Sequence, residues 1–120
     1  MKVKAIEIID KVDELKPNDY DIDLKLKALT NIENKIIEEI VNIHEVEKME
    51  EVTIEEDSEL IAENEYSDIY FYYLEACIHQ LNEEYDRYNN AMIMFNQELG
   101  DYAKWYNRNY MPTQKGDFKL

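Results

Sequence analysis

The side chains best suited to chemistry stand close together in the chain, at Glu75, Cys77 and His79. Glu75 and His79 are four residues apart and would share one face of a helix, but one carboxylate and one imidazole are too few for a metal site. On the same helix, Cys77 and His79 would diverge by about 200° and could not form a nucleophile–base pair. Cys77 falls on an apolar stripe, which indicates a small buried thiol.

Other catalytic patterns are also missing from the sequence. A di-iron helical bundle needs Glu three residues before His, and those positions hold Val41 before His44 and Ala76 before His79. The chain has no glycine-rich phosphate loop, no serine nucleophile elbow and no zinc-spaced cysteine set. We therefore expect a protein that is not an enzyme and that uses no cofactor and no metal.

Composition limits the fold class and the setting. The 120 residues are 45% hydrophobic and 34% charged, which suits one globular domain rather than a disordered chain or a membrane protein. Only two glycines and two prolines favour long helices with few turns. One cysteine and a charged N-terminal stretch without a signal-peptide pattern indicate a reducing cytoplasm.

The net charge of −15 is concentrated in the middle of the chain. Residues 49–103 hold 15 acidic residues and one base, Arg87, whereas residues 104–120 carry a net charge of +3. Without a Lys/Arg patch, tight DNA binding is not expected. The acidity either serves solubility or makes a surface that mimics or repels nucleic acid. A basic tail opposite an acidic body would also suit contacts between copies.

Helical periodicity predicts two helices before residue 45. Apolar residues at helical spacing predict a short helix over residues 3–15, which Pro17 ends. Asp21 is the expected N-cap of a second helix that runs to about His44. Lys25 is the one polar residue on the apolar stripe of that second helix.

Two further helices are predicted after residue 65. Ser67 is the expected N-cap of the third, with Tyr66 as a hydrophobic staple and a break near residues 82–84. The last helix has an unbroken seam of Tyr85, Tyr88, Met92, Phe95, Leu99, Tyr102 and Tyr106. This seam fits packing within the chain or a coiled-coil dimer.

Residues 45–65 break the helical pattern. Ten of these 21 positions are Asp or Glu, and the apolar residues keep no long period. Val52-Thr53-Ile54 could form a brief strand, although the like charges around it oppose a sheet. We interpret the segment as a long acidic loop, which in a compact domain is usually functional or disordered.

Several side chains are candidates for contact with partners. Phe71, Tyr72, Trp105 and Tyr110 fall off the main stripes and could lie at an interface or form a second packed face toward the first helix. Arg87, alone among carboxylates, is expected to pair with one of them within or between subunits.

Two tyrosine-rich segments, residues 66–76 and 84–96, resemble small prophage proteins of Gram-positive bacteria. Those proteins also end in an aromatic-Tyr-Asn-Arg stretch that closes on Met-Pro, matched here by residues 105–108 and 111–112. Residues 16–18 and 33–40 are similar to the same family, and the resemblance covers most of residues 3–112 except the acidic loop. The family looks like the head–tail connector, or adaptor, proteins of tailed phages.

The resemblance implies a structural role in the virion. Such connectors are helical, are made in the cytoplasm of the bacterial host, and assemble as a ring under the portal protein, where DNA passes without specific binding. The expected partners are other copies of the chain, the portal protein, and head-closure or tail proteins, and no membrane is involved. The family has no catalytic residues to carry over, and many relatives carry Gly where this chain has Glu83.

Together these observations predict an all-α domain over residues 1–112, with three to four helices packed antiparallel, the acidic loop 45–65, and a flexible tail 113–120. The candidate interface residues are Arg87, Phe71, Tyr72, Trp105, Arg108 and Tyr110. The residues expected to face the DNA channel or another phage protein are Glu50, Glu51, Glu55, Glu56, Asp57 and Glu59.

Two alternatives to the connector remain open on the sequence. The first is an acidic inhibitor that mimics DNA and fills the cleft of a basic nucleic-acid-binding protein. The second is a helical antitoxin-like dimer, which would show a stable two-subunit mass in solution.

Overall fold

The computed structural model describes residues 2–45 and 47–110, except for the side chains of His44 and Tyr110. Within this part of the chain lie four main helices, so the all-α prediction is confirmed. They are α1 (Ala5–Leu15), α2 (Ile22–Ile36), α3 (Asp68–Leu81) and α4 (Tyr85–Tyr110). A π-helical turn (Ile37–Val41) and a short helical piece (Asn42–His44) continue α2, and a 3₁₀ turn (Asn64–Tyr66) precedes α3. The tail 113–120 lies outside the described residues.

The helices alternate in direction along the chain, so that α1 and α3 run parallel. Lys11 Nζ lies 3.4 Å from Asp68 and Lys16 Nζ lies 3.5 Å from Glu75, so both helices advance together. The α3–α4 hairpin is antiparallel, because Tyr73 contacts Phe95 while the earlier Tyr66 contacts the later Tyr102. The acidic loop runs from the end of α2 to the start of α3 and passes the N-terminus of α1.

The core forms where the apolar stripes of the four helices meet. Its fully buried side chains include Val12, Leu29, Ile32, Ile36, Ile69, Leu74 and Ile78. Lys25, the polar exception on the α2 stripe, is also buried, and its ammonium lies 2.9 Å from Asp13 at the end of α1. An ion pair with a half-buried carboxylate offsets the cost of burying this charge.

The predicted seam of α4 is correct over most of its length and wrong at its first residue. Phe95, Tyr102 and Tyr106 are buried, whereas Tyr85 is 59% exposed. Tyr85 is the first residue of α4 and follows the α3–α4 turn, where Leu81 at the end of α3 is also exposed. The break near residues 82–84 is confirmed, and Glu83 adopts a left-handed backbone with φ of 59° there.

The two expected N-caps stand at the right positions without making the expected bonds. Asp21 and Ser67 precede the first residues of α2 and α3, but neither side chain accepts a hydrogen bond from the first turn. Ser67 follows the 3₁₀ turn with an α-helical backbone, and its hydroxyl instead donates to the carbonyl of Asn64 at 3.0 Å. The preceding turn thus takes the hydroxyl away from the capping role.

Candidate interaction surface

The acidic loop is held against the helices by side chains of α2. Asn34 acts as a substitute for a neighbouring strand: its amide group donates to the Val52 carbonyl at 3.0 Å and its oxygen accepts from the Val52 amide at 2.8 Å. Two residues further along the loop, the Ile54 amide donates to the Thr30 hydroxyl at 2.9 Å. The residues around Val52 therefore form no strand, because α2 satisfies the backbone groups that a strand would have paired.

A buried carboxylate holds the next part of the loop. Glu33 is 1% exposed; one oxygen accepts from the Ile61 amide at 2.7 Å and the other from the Tyr70 hydroxyl at 2.6 Å. The Tyr70 oxygen in turn accepts from the Ala62 amide at 2.9 Å. Burial raises the pKa of Glu33, and burial together with the nearby Glu33 carboxylate raises the pKa of Tyr70 well above its usual range. This network ties α2, α3 and the loop into one unit.

A turn over residues 55–58 closes the N-terminus of α1. The carbonyls of Ser58 and Glu56 accept hydrogen bonds from the Ala5 and Ile6 amides at 2.9 and 3.0 Å. Within the turn, the Ser58 amide donates to the Glu55 carbonyl, and the Ser58 hydroxyl accepts from the Glu55 amide. These carbonyls satisfy first-turn amides that have no partner inside a helix. The acidic side chains of the turn also stand at the positive end of the helix dipole.

The six carboxylates that the sequence assigned to a channel or partner surface are all exposed. They are Glu50, Glu51, Glu55, Glu56, Asp57 and Glu59. Between them the apolar residues Ile54 and Leu60, and then Ala62, turn inward and are buried. From residue 47 onward the loop thus has a buried apolar side and a charged outer side. Within the described residues, no group of three or more His, Cys, Asp or Glu side chains could hold a metal ion.

The candidate interface residues do not form one patch. Arg87 is exposed at the start of α4, with its guanidinium 3.5 Å from Glu84. Phe71 is 8% exposed, with the ammonium of Lys11 lying 4.9 Å from the centre of its ring, so it packs against α1. Phe71 therefore belongs to the second packed face and not to an interface, because α1 runs parallel to α3 and covers the ring. Tyr72 is half-buried, edge-on to Phe71.

The remaining interface candidates lie near the other end of α4. Trp105 is half-buried in an aromatic cluster with Tyr66, Tyr102 and Tyr106, whose ring centres are 5.3 to 6.2 Å apart. These rings border a cavity of about 310 Å³. The Tyr106 hydroxyl lies 3.2 Å from Glu45 at the start of the acidic loop. Arg108 is exposed, and the side chain of Tyr110 lies outside the described residues.

The Glu75–His79 pair joins a polar network at the α3–α4 turn. The buried His79 ring lies 3.2 Å from Glu75 through Nε2 and 2.9 Å from Glu84 through Nδ1. The hydrogen bond with His79 is the main cause that lowers the pKa of Glu84. Because the Glu84 amide also donates to the His79 carbonyl at 2.9 Å, the network fixes the turn. Cys77, two residues before, is half-buried, and burial raises the pKa of its thiol.

The residues that organise this surface were missed by the sequence reasoning. Glu33 and Tyr70 form the buried network, and Asn34 and Thr30 bind the loop backbone. Glu33 carried a usable signal, because it stands four residues after Leu29 and three before Ile36, on the apolar face of α2. For Asn34 and Thr30 the sequence holds no comparable signal, since polar residues on a helix flank are ordinary.

Comparisons with protein-family models, with curated proteins and with solved structures each found no match. In the described part of the chain, no helix has the length and apolar character needed to cross a membrane. What characterises the molecule is therefore its own geometry, a helical bundle that carries an ordered strip of exposed carboxylates.

Proposed function

We propose that the protein is a non-catalytic structural subunit at the head–tail junction of a phage particle, similar to head–tail connectors. In this role, copies assemble as a ring under the portal protein, contact head-closure or tail proteins, and let DNA pass without specific binding. The observation that supports the proposal most is the acidic loop, whose backbone is fixed to α1 and α2 while its carboxylates stay exposed.

The physical argument concerns what a DNA channel requires. A wall that holds duplex DNA must not grip the phosphates, and a row of carboxylates repels them over about 10 Å at moderate salt. A mobile acidic loop could be displaced by the passing duplex or could fold onto a basic neighbour. A loop fixed by Asn34, Thr30 and Glu33 keeps its charges facing the same way.

The proposal places subunit contacts on the flanks of the bundle. The exposed Arg108 is a cation on the last turn of α4, Arg87 is exposed beside its partner Glu84, and the half-buried Tyr72 and Trp105 supply aromatic area. Rings of this kind need a surface that recognises a different surface on the next copy. A basic stretch facing the acidic loop of a neighbour would meet that requirement.

Co-expression with the portal protein of the same phage genome tests this function. We expect a ring of defined mass by native mass spectrometry and a collar under the portal by electron microscopy. A variant with the six loop carboxylates changed to Lys should retain less DNA in assembled heads, because its channel wall would bind phosphates. The six residues are Glu50, Glu51, Glu55, Glu56, Asp57 and Glu59.

A matched control carries the same number of charge reversals at exposed acids elsewhere, at Asp10, Glu14, Asp23, Glu38, Asp86 and Asp101. Equal DNA retention in the loop variant and the wild type would rule out the channel position of the loop. A chain that forms no complex with portal protein at high concentration would rule out the connector role itself.

The DNA-mimic function is the second candidate, and the same fixed loop favours it. A mimic needs negative charges held at set positions, which the hydrogen bonds from Asn34 and Thr30 provide. Titration into a complex of duplex DNA with a basic DNA-binding protein separates the two functions. A mimic releases the DNA at near-stoichiometric amounts, whereas a connector subunit leaves the complex intact.

A further inference from the structure

Four helices end or begin with an exposed large apolar residue at the same end of the bundle. Leu15 is the last residue of α1 and Ile22 the first of α2; Leu81 is the last of α3 and Tyr85 the first of α4. Their exposed fractions are 56%, 37%, 48% and 59% in that order. We call these four residues the apolar end. Single exposed apolar residues are ordinary, whereas four at one end of a small domain are the kind of surface that binding partners cover.

The apolar end is held in place by contacts between its two connections. The Tyr20 hydroxyl, in the α1–α2 connection, donates to Asn82 in the α3–α4 turn at 2.5 Å. Lys16 also bridges to Glu75 of α3 at 3.5 Å. Because α1 and α3 run parallel, these contacts bring both connections to one side of the molecule. The four apolar residues thus belong to one rigid surface, and ordering them for binding costs little entropy.

The border of the apolar end is acidic. Asp19, Asp21, Asp23, Glu83 and Asp86 are all exposed around it. Among the described residues, Lys16, Lys25 and Arg87 near these helix ends are already engaged, with Glu75, Asp13 and Glu84 in that order. An incoming partner therefore meets an apolar centre surrounded by negative charge.

We propose that the apolar end is a docking site for a basic amphipathic protein helix, with an apolar face flanked by Lys or Arg. Charge complementarity selects this occupant: the cations would meet the acidic border while the apolar face covers Leu15, Leu81 and Tyr85. A second copy docked end to end would set acidic border against acidic border, and an anionic lipid surface would be repelled in the same way. The inference does not rest on the connector role, since it uses only the surface itself.

A synthetic helical peptide of about 18 Leu and Lys residues, patterned so that Leu forms one face, serves as the probe. Methyl-labelled protein is titrated with it and followed by NMR. We expect saturable shifts at Leu15, Ile22 and Leu81, with smaller changes at the exposed Ile43 and Ile93. A peptide with Glu in place of Lys, and one with Ser in place of Leu, should both fail to bind.

Substitutions locate the site independently of the spectra. The triple variant Leu15→Ser, Leu81→Ser, Tyr85→Ser changes only exposed side chains, and we expect it to weaken binding about tenfold or more. A control triple variant at other exposed positions, Ile43→Ser, Met49→Ser, Ile93→Ser, should bind within about twofold of the wild type. Circular dichroism shows whether both variants keep their helices.

Three results would overturn the proposal. One is equal weakening in the two triple variants, or dominant shifts at the acidic loop, since binding would then follow net charge alone. Another is a concentration-dependent dimer that Tyr85→Ser abolishes, which would assign the apolar end to a second copy. The third is tighter binding to vesicles of anionic lipid than to the peptide, which would assign it to a membrane surface.

Discussion

Glu33 connects α2 to both the acidic loop and α3 through one buried carboxylate. The carboxylate accepts hydrogen bonds from the backbone amide of Ile61 and from the hydroxyl of Tyr70 in α3. Only 1% of Glu33 is exposed. A buried carboxylate is costly unless every oxygen has a partner. Here both oxygens accept short hydrogen bonds. The network thus fixes the path of the loop, and these bonds offset part of the free-energy cost of removing the carboxylate from water.

Removing the Tyr70 hydroxyl should therefore destabilise the fold. In Tyr70→Phe the Ala62 amide loses its acceptor and one Glu33 oxygen loses its donor, and we expect a loss of about 1–3 kcal/mol in the free energy of unfolding. Denaturant unfolding measures it. Tyr85→Phe is the matched control, because that side chain is mostly exposed, and it should leave stability unchanged. A loss below the error of the fit in Tyr70→Phe would show that the network contributes nothing net.

Glu33 also predicts a pH dependence. Its pKa in the folded protein is raised above the ordinary value of 4.5, chiefly by burial. The folded state therefore keeps a proton that the unfolded chain has lost, and the free energy of unfolding falls as pH rises from about 4.5 through the raised value. Glu84 acts in the opposite sense, because its pKa is lowered, mainly by the hydrogen bond with His79. Its contribution to the free energy of unfolding is present above pH 4.5 and is lost as pH falls from 4.5 through the lowered value.

Unfolding of the wild type and of Glu33→Gln across pH 4 to 8 isolates this effect. The Gln variant lacks the titrating group, so we expect its curve to stay flatter as pH rises above about 4.5 while the wild type declines. Glu38→Gln, an exposed position in the π-helical turn that continues α2, is the control and should follow the wild type. Parallel curves for Glu33→Gln and wild type would contradict a raised pKa.

At the scale of elements, the α3–α4 turn holds the one non-glycine residue of the described chain that has a positive φ. Glu83 has φ of 59°, a backbone conformation that side chains with a Cβ disfavour. We expect Glu83→Gly to raise the free energy of unfolding by about 0.5–1 kcal/mol, because glycine adopts this conformation without steric cost. Thermal unfolding measures it, with Glu83→Ala as the control that removes the carboxylate but keeps the strain. Lower stability in the Gly variant than in the Ala variant would contradict this.

The contact between α2 and the acidic loop makes a second prediction for an element. Asn34→Ala removes both hydrogen bonds to Val52, at a cost of about 1–2 kcal/mol, and the loop should open more often. A Glu-specific protease should then cleave after Glu50, Glu51 or Glu55 faster than in the wild type. Asn31→Ala, on the exposed face of the same helix, should be cleaved at the wild-type rate. An unchanged rate in Asn34→Ala would mean that other contacts hold the loop.

The elements show how far sequence patterns reach in this protein. Apolar periodicity predicts all four helices and puts Lys25 on the apolar stripe of the second, because one stripe of each helix must face the core. It does not predict the course of the loop, whose backbone partners are side chains of Asn34, Thr30 and Glu33 distant in sequence. It also leaves open whether Phe71 lies at an interface or packs toward α1, a choice that the burial of Phe71 beside Lys11 decides in favour of packing.

At the scale of the whole molecule, the net charge of −15 sets the response to salt. Most acids are exposed and repel one another, and screening that repulsion favours the folded state. We expect Tm to rise by several degrees as NaCl increases from about 0.01 to 0.5 M, because the Debye length falls from about 30 Å to a few Å. A variant with the six loop carboxylates changed to Gln should rise less. A Tm that falls with salt would show that favourable ion pairs dominate instead.

The closure of α1 by the turn at residues 55–58 has a consequence for synthesis on the ribosome. Since the amides of Ala5 and Ile6 receive their acceptors from Ser58 and Glu56, α1 leaves the exit tunnel without these two hydrogen bonds until some fifty more residues have emerged. The Glu7 side chain can accept from the Lys4 amide at once, because that contact is local. The two remaining amides must wait for the acidic loop, so the N-terminus of α1 is completed only after that loop has been made.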